Sequence, residues 1–344
     1  MGKVRIYGTI GPACKDKEIL KQMFHEGMDG VRLNLSHSSL EESSALIDSL
    51  HNAARECGVS PELLIDMHGP ELRIGYLKAP IELAEGSRVG LGDIPFPDIV
   101  KKALTASDPG QEVLLDDGKI LLRKEGEALP LRTQGEPDAE GTQLLQLLVV
   151  RGGLLESRKS VALPGHSFQT PAMTENDREQ LRRAKEYGVT AVMQPFVRSR
   201  DDLIAVRAAL SDAGCENIRL LAKIENRDGV RNLPELIPYC DEIVIARGDL
   251  GNAMDDLWEL PAVQKHISAV CREAGRDFMV VTQMLDSMMH RQVPTRAEVS
   301  DIFNAVADGA SSVMVTGETA AGDYPALAIR YLSRTAHEAE RFTG

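Results

Sequence analysis

Eight short apolar runs recur along this chain, and a helix-length amphipathic segment follows each of them. Parallel strands need a crossover long enough to hold a helix, so this alternation predicts a parallel sheet. The first three strands read at 4–10, 30–36 and 62–67, with helices at 17–27 and 39–58. The rhythm then stops. Between 75 and 157 there is no helix-length amphipathic pattern, only Gly- and Pro-rich sequence with short apolar stretches such as Val113-Leu114-Leu115. It resumes at Thr174-Glu175-Asn176-Asp177, whose spacing predicts a capping box, and a second box reads at Thr295-Arg296-Ala297-Glu298. Strands follow at 191–196, 218–225, 242–248, 278–284 and 311–318. The count predicts a (β/α)8 TIM barrel from residues 1–74 and 158–344, with a small β-barrel domain, 75–157, inserted after strand 3. An open doubly wound sheet of similar content is the alternative.

Charge and cysteine usage narrow the function. The formal net charge of −13 argues against nucleic acid and anionic lipid as partners. The five cysteines are scattered, with no CxxC pair, which argues against zinc and for a reducing, cytoplasmic setting. No charged-then-apolar leader precedes the first strand, so no signal peptide is expected, and no apolar run approaches the ~20 residues of a membrane span.

Barrels carry their chemistry at the C-terminal ends of the strands. Here strand 2 ends on Arg32, Asn34, Ser36 and His37, and strand 3 on Asp66, with Glu71 and Arg73 beyond. Strand 5 ends on Lys223-Ile224-Glu225, strand 6 on Arg247-Gly248-Asp249, strand 7 on Thr282-Gln283 and strand 8 on Thr316-Gly317-Glu318-Thr319. Lys223 and Glu225 are two apart, so a strand points both to one face. Glu225 with Asp249 on the next strand offers the one or two carboxylates that magnesium takes from a protein. The ammonium beside them suits a transferring phosphoryl group or a developing enolate. An ordinary salt bridge is the plainer reading of Lys-x-Glu alone. Gly248-Asp249-Leu250-Gly251 reads as a tight turn opening a short helix, suited to a substrate carboxylate. Arg32 suits a bidentate grip on phosphate. Asn34, Ser36 and Asp66 are an oxygen-rich cluster of single charge, either a monovalent-cation site or a hydrogen-bonded network.

Those residues lie in segments that resemble pyruvate kinases along nearly the whole chain. They include Thr9-Ile10-Gly11-Pro12, Arg32-Leu33-Asn34-Leu35-Ser36-His37 and Asp66-Met67-His68-Gly69-Pro70-Glu71-Leu72-Arg73. Further on come Lys223-Ile224-Glu225-Asn226, Ala246-Arg247-Gly248-Asp249-Leu250-Gly251, Thr282-Gln283-Met284-Leu285-Asp286-Ser287-Met288 and Pro294-Thr295-Arg296-Ala297-Glu298. The resemblance implies the glycolytic transfer of phosphate from phosphoenolpyruvate to ADP, giving pyruvate and ATP, with magnesium (or manganese) and potassium. It implies that Lys223 stabilises the transition state and the enolate, and that Glu225 and Asp249 bind magnesium. Gly248, Asp249 and Thr282 would contact phosphoenolpyruvate, and Arg32 its phosphate. Thr316 would relay a proton, with Glu318 beside it in the catalytic set. Asn34, His37, Arg73 and Lys159 would face the nucleotide. Asn34, Ser36, Asp66 and the carbonyl of Met67 would hold potassium, and Glu71 is the residue of potassium-dependent members. Asp117, or its neighbour Asp116, would swing in with the inserted lid.

The chain also departs from the family pattern. Pro195 stands for Ser before Phe196-Val197-Arg198, Met67 and His68 for Thr and Lys, Ser160 and Ala162 for Gly and Asn, and Thr316 for Ser. The insert is short. The sequence stops at the eighth barrel helix, without the C-terminal domain that carries sugar-phosphate regulation, so such regulation is expected to be absent and a homodimer rather than a tetramer is the candidate assembly. Two other functions remain open at this point. One is a magnesium-dependent lyase or aldolase that uses the same enolate site on an oxo acid without ADP. The other is a non-catalytic sensor of phosphoenolpyruvate, against which the full set Lys223, Glu225, Asp249 and Glu318 argues.

Overall fold

The computed structural model describes residues 3–36, 38–126, 145–166, 168, 170–254 and 256–343. The chain divides into two compact units, one of residues 1–70, 170–250 and 258–344, the other of residues 71–169 and 251–257.

In the first unit eight parallel strands close into a barrel, each hydrogen-bonded to its sequence neighbours and the last to the first. They are β1 (Arg5–Thr9), β2 (Gly30–Asn34), β3 (Glu62–Asp66), β4 (Ala191–Gln194), β5 (Arg219–Ile224), β6 (Glu242–Ala246), β7 (Phe278–Val281) and β8 (Ser312–Val315). The expected (β/α)8 architecture is therefore what forms, and the open sheet is excluded. The strands end a few residues before the apolar runs do, because the chain turns over the rim. The second helix begins at Ser44 and not at 39. Ser39 and Glu42 cap each other there, Ser39 N–H to Glu42 at 2.8 Å and Glu42 N–H to Ser39 Oγ at 3.1 Å, so residues 40–43 form a turn first. Both capping boxes form as read, at Thr174–Asp177 and Thr295–Glu298.

Strands alternate faces, and Tyr7, Leu64, Met193, Leu221, Val244, Met279 and Met314 pack together as one cluster. Tyr7 is too large for an ordinary neighbour. A Cβ on Gly30 would sit 2.1 Å from its ring, so β2 offers glycine where the ring lies. At the N-terminal end the ring hydroxyl donates to Glu62 at 2.8 Å. Arg219 bridges Glu62 and the fully buried Glu242 at 2.8 and 2.7 Å, and Arg5 also reaches Glu242 at 2.8 Å. The low-dielectric end of the barrel thus holds a paired ionic network, since unpaired charge there would be far costlier.

The second unit contains a five-stranded and a two-stranded sheet, both antiparallel between their paired strands, around its own apolar core. It also contains a helix, Asp98–Ala106, in the segment read as helix-free. Only Val100 and Leu104 are fully buried on that helix, too short a stripe to stand out by periodicity. Its last carbonyls are capped from elsewhere. The buried Lys124 ammonium donates to the carbonyls of Leu104 at 2.8 Å and Thr105 at 3.3 Å. Among the described residues, no helix is long and apolar enough to cross a membrane.

Candidate active site

The barrel interior is apolar up to its C-terminal rim, where the same inward-facing register changes to polar side chains. Two residues beyond Tyr7, Leu64 and Leu221 stand Thr9, Asp66 and Lys223, and β2 contributes Arg32 and Asn34 on the face that begins at Gly30. Period-two geometry thus converts four strand sequences into one cluster.

Asp66 is its centre. The side chain is 2% exposed, and Oδ2 accepts from Arg32 Nη2 at 2.7 Å and Nε at 2.9 Å. Lys223 Nζ lies 3.2 Å from the same oxygen and 2.9 Å from Glu225 Oε1. Arg32 Nη1 donates to Thr9 Oγ1 at 3.2 Å, so one hydroxyl and one carboxylate aim the guanidinium. Burial alone would discharge Lys223, but the Asp66 and Glu225 carboxylates outweigh it and hold the ammonium above its ordinary range. Burial likewise opposes ionisation of Asp66, and the Lys223 and Arg32 charges outweigh it, keeping that carboxyl below its ordinary range. Both groups are therefore charged at neutral pH.

Glu225 is buried too, with Oε2 accepting the Phe196 amide at 2.8 Å. That amide is aimed by an unusual loop, since Phe196 has φ +54°. Pro195 begins the loop and packs against Gly69, where an added Cβ would lie 2.4 Å from Pro195 Cγ. Gly69 itself has φ +64°. Its amide and that of His68 donate to Asp177 at 3.1 and 2.9 Å. Asp177 is buried and also completes the capping box, so it fastens the loop after β3 to the helix Glu175–Arg183.

Asp249 stands in the helix Arg247–Asn252 that follows β6, the hydrogen-bonded neighbour of β5. The donors offered by Glu225 and Asp249 are hard carboxylate oxygens, the kind that magnesium or manganese prefers. No cluster of three or more His, Cys, Asp or Glu with metal-site geometry occurs among the described residues. The Asn34–Ser36 pair is a local turn, with the Ser36 amide donating to Asn34 Oδ1 at 3.1 Å. The Met67 amide donates to the Met193 carbonyl at 3.2 Å, tying the residue after β3 to β4.

On the far side of the mouth, Glu318 is 2% exposed. Its two oxygens accept the Leu285 amide at 3.0 Å and the Thr316 amide at 2.7 Å, and Thr316 Oγ1 is 3.4 Å away. Glu318 thereby ties the end of β8 to the loop after β7. Thr282 in that loop has φ +83° and Gln283 has φ +54°.

Five further expected residues, Glu71, Arg73, Asp116, Asp117 and Lys159, lie in the second unit. Arg73 pairs with Glu71 at 2.6 Å and donates to the Arg158 carbonyl at 2.9 Å. Lys159 pairs with Asp116 at 3.0 Å and Glu156 at 3.3 Å, and hydrogen bonding to Asp116 holds its ammonium above the ordinary range. Asp117 receives the Ser160 hydroxyl at 2.8 Å. His37 lies outside the described residues.

Sequence reasoning missed Thr9, Phe196, Asp177 and Asp301. Thr9 was legible in principle, because its parity with Tyr7 aims it inward. Phe196 acts through its backbone, and nothing in a side chain announces that. Asp177 was seen as a cap alone. Asp301, which holds Arg247 in a bidentate pair at 2.9 and 2.7 Å, carries no local signal.

The family model described as pyruvate kinase, barrel domain, matches residues 1–329. A pyruvate kinase of Sporosarcina psychrophila is 37% identical over 98% of this chain and 57% of its own length. One of Clostridium acetobutylicum is 35% identical over 99% of this chain and 71% of its own. Pyruvate kinase PKLR of Homo sapiens is 37% identical over 97% of this chain and 59% of its own. The chain thus spans between 57% and 71% of the length of these three relatives.

Proposed function

The chain belongs to the pyruvate kinase family, and from that premise we propose that it transfers the phosphoryl group of phosphoenolpyruvate to ADP, yielding pyruvate and ATP. The observation that carries this reading is Lys223, a buried ammonium fixed by Asp66 and Glu225 beside Arg32. A group that stays protonated in a water-poor mouth can neutralise charge as it grows on an enolate oxygen or a phosphoryl oxygen. Arg32 is pre-aimed for the phosphate. Gly248, without a side chain, lets Thr282 pack against the turn after β6, and Thr282 and Thr316 bring hydroxyls from the ends of β7 and β8.

Charge balance supports a need for cations. Arg32 and Lys223 bring two positive charges, and Asp66, Glu225 and Asp249 bring three negative ones. Such a cluster has no net attraction for a phosphorylated acid carrying further negative charge. A divalent ion held by Glu225 and Asp249 would supply the missing positive charge and act as a Lewis acid at the substrate oxygens. Asn34, Ser36, Asp66 and the Met67 carbonyl are proposed for potassium, with Glu71 as its indicator. Asn34, His37, Arg73 and Lys159 are proposed for the nucleotide, and 75–157 as a lid bearing Asp116 and Asp117. Each Glu318 oxygen accepts an amide, so that residue also positions Thr316.

The test is pyruvate formation by purified protein with phosphoenolpyruvate, ADP, magnesium and potassium. Turnover should require ADP and both ions and should vanish in Lys223→Met. Pyruvate made equally well without ADP would overturn the phosphotransfer reading.

A further inference from the structure

Thr282 holds a backbone conformation that a β-branched residue adopts only under constraint, with φ +83°, and Gln283 after it is also left-handed at φ +54°. Two such residues in succession persist only where the surroundings over-determine them. The surroundings here are specific. Arg247, first residue of the helix after β6, donates to the Thr282 carbonyl through Nε at 3.0 Å and Nη2 at 2.7 Å. Its remaining nitrogen, Nη1, meets both oxygens of Asp301, at 2.9 and 2.7 Å. Asp301 is carried by the helix Arg296–Ala307 and is not part of the mouth. The Arg247 side chain is only 11% exposed, so its fork is set by these partners.

The same geometry joins two substrate-side positions. A Cβ built on Gly248 would lie 3.2 Å from Thr282 Cγ2 and 3.9 Å from Oγ1. The Thr282 methyl therefore occupies the space a side chain at 248 would need, with the hydroxyl farther away. If the Thr282 backbone relaxed to negative φ, both the hydroxyl and this fit would move.

We propose that Asp301 and Arg247 are a positioning pair. Together they clamp the Thr282 carbonyl, hold that residue in its left-handed conformation and thereby aim its hydroxyl across the Gly248 turn. Neither acts on substrate. The clamp's effect on turnover rests on the reading of the mouth as the phosphoenolpyruvate site; its effect on Thr282 does not.

The experiment separates these. Asp301→Asn is made in the native background and in Thr282→Gly, where glycine adopts positive φ without help. In the native background kcat should fall about 10- to 100-fold, as for an ångström-scale misplacement, with KM for phosphoenolpyruvate changing less. In Thr282→Gly the same substitution should cost less than about twofold, because there is no strained residue left to hold. Asp301→Glu, which retains a carboxylate partner, should recover part of the loss. Arg247→Lys cannot make both carbonyl bonds and serves as the second variant, with the same pattern expected. Equal losses in both backgrounds, or no loss in the native one, overturn the proposal. Independently of turnover, the 13C methyl resonance of Thr282, assigned by its absence in Thr282→Gly, should shift in Asp301→Asn. An unmoved resonance overturns the clamp even if the enzyme is active, and a moved one sustains it even if the protein makes no pyruvate.

Discussion

Lys223→Met removes a charge on which two buried carboxylates depend. Nζ lies 2.9 Å from Glu225 and 3.2 Å from Asp66, which at an effective dielectric near 20 corresponds to about 5 kcal/mol of attraction each before desolvation. Desolvation of the three groups offsets most of that, and deleting one partner of a buried pair typically costs about 3–5 kcal/mol. Asp66 retains Arg32, whereas Glu225 retains only the Phe196 amide, so the damage falls mainly on Glu225. The pH dependence has a definite sign. Lys223 is raised in the folded state, so its contribution is full below the unfolded lysine value near 10.4 and fades as pH climbs past it. Asp66 is lowered, so its contribution is full above the unfolded value near 3.9 and fades as pH drops below it. The gap between native protein and variant should thus be a plateau from about pH 5 to pH 9 that narrows at higher pH. Urea unfolding followed by circular dichroism at several pH values measures it, alongside pyruvate formation. A loss under about 1 kcal/mol at pH 7 would refute the buried ion-pair argument. Retained turnover would refute the role of the ammonium.

Other outcomes follow from the same geometry. Gly30→Ala places a methyl 2.1 Å from the Tyr7 ring, which is buried and hydrogen-bonded to Glu62, and should destabilise by about 1–3 kcal/mol or more. Chemical denaturation should show the cost largely relieved by Tyr7→Val in the double variant. Asp177→Ala strips the acceptor from the His68 and Gly69 amides, at about 1–3 kcal/mol for a buried donor left unmade. Hydrogen exchange should speed up at those two amides first, and unchanged protection there would count against the tether. Burial pushes the Cys14 thiol up to about 11 and those of Cys240 and Cys271 up to about 12, while Cys57 is half-buried. A thiol reagent at pH 8 should therefore find one fast site, lost in Cys57→Ser; several fast thiols in the native protein would contradict the core packing.

Periodicity and local spacing determined the eight barrel strands with the helices between them, both capping boxes and the set of rim residues. Each is local: a side chain's face follows from its parity along one strand, and a cap from spacing within four residues. Strand 5 shows how far that reaches, since Lys223 and Glu225 were bound to share a face in any strand. What they face was not local. That Asp66 lies between Lys223 and Arg32 depends on barrel closure, which brings together residues 157 positions apart. The glycine at position 30 has no local reason; it answers to a ring on the neighbouring strand. The helix Asp98–Ala106 escaped notice because its buried stripe is only Val100 and Leu104, and the Lys124 that caps its last carbonyls comes from well beyond its own last residue. Asp177 read only as a helix cap, and Asp301 carried no local signal, until the fold set them against the loops after β3 and β6. A sequence displays the donors and acceptors of each segment, but which of them are satisfied by one another is decided only when distant segments exclude water together.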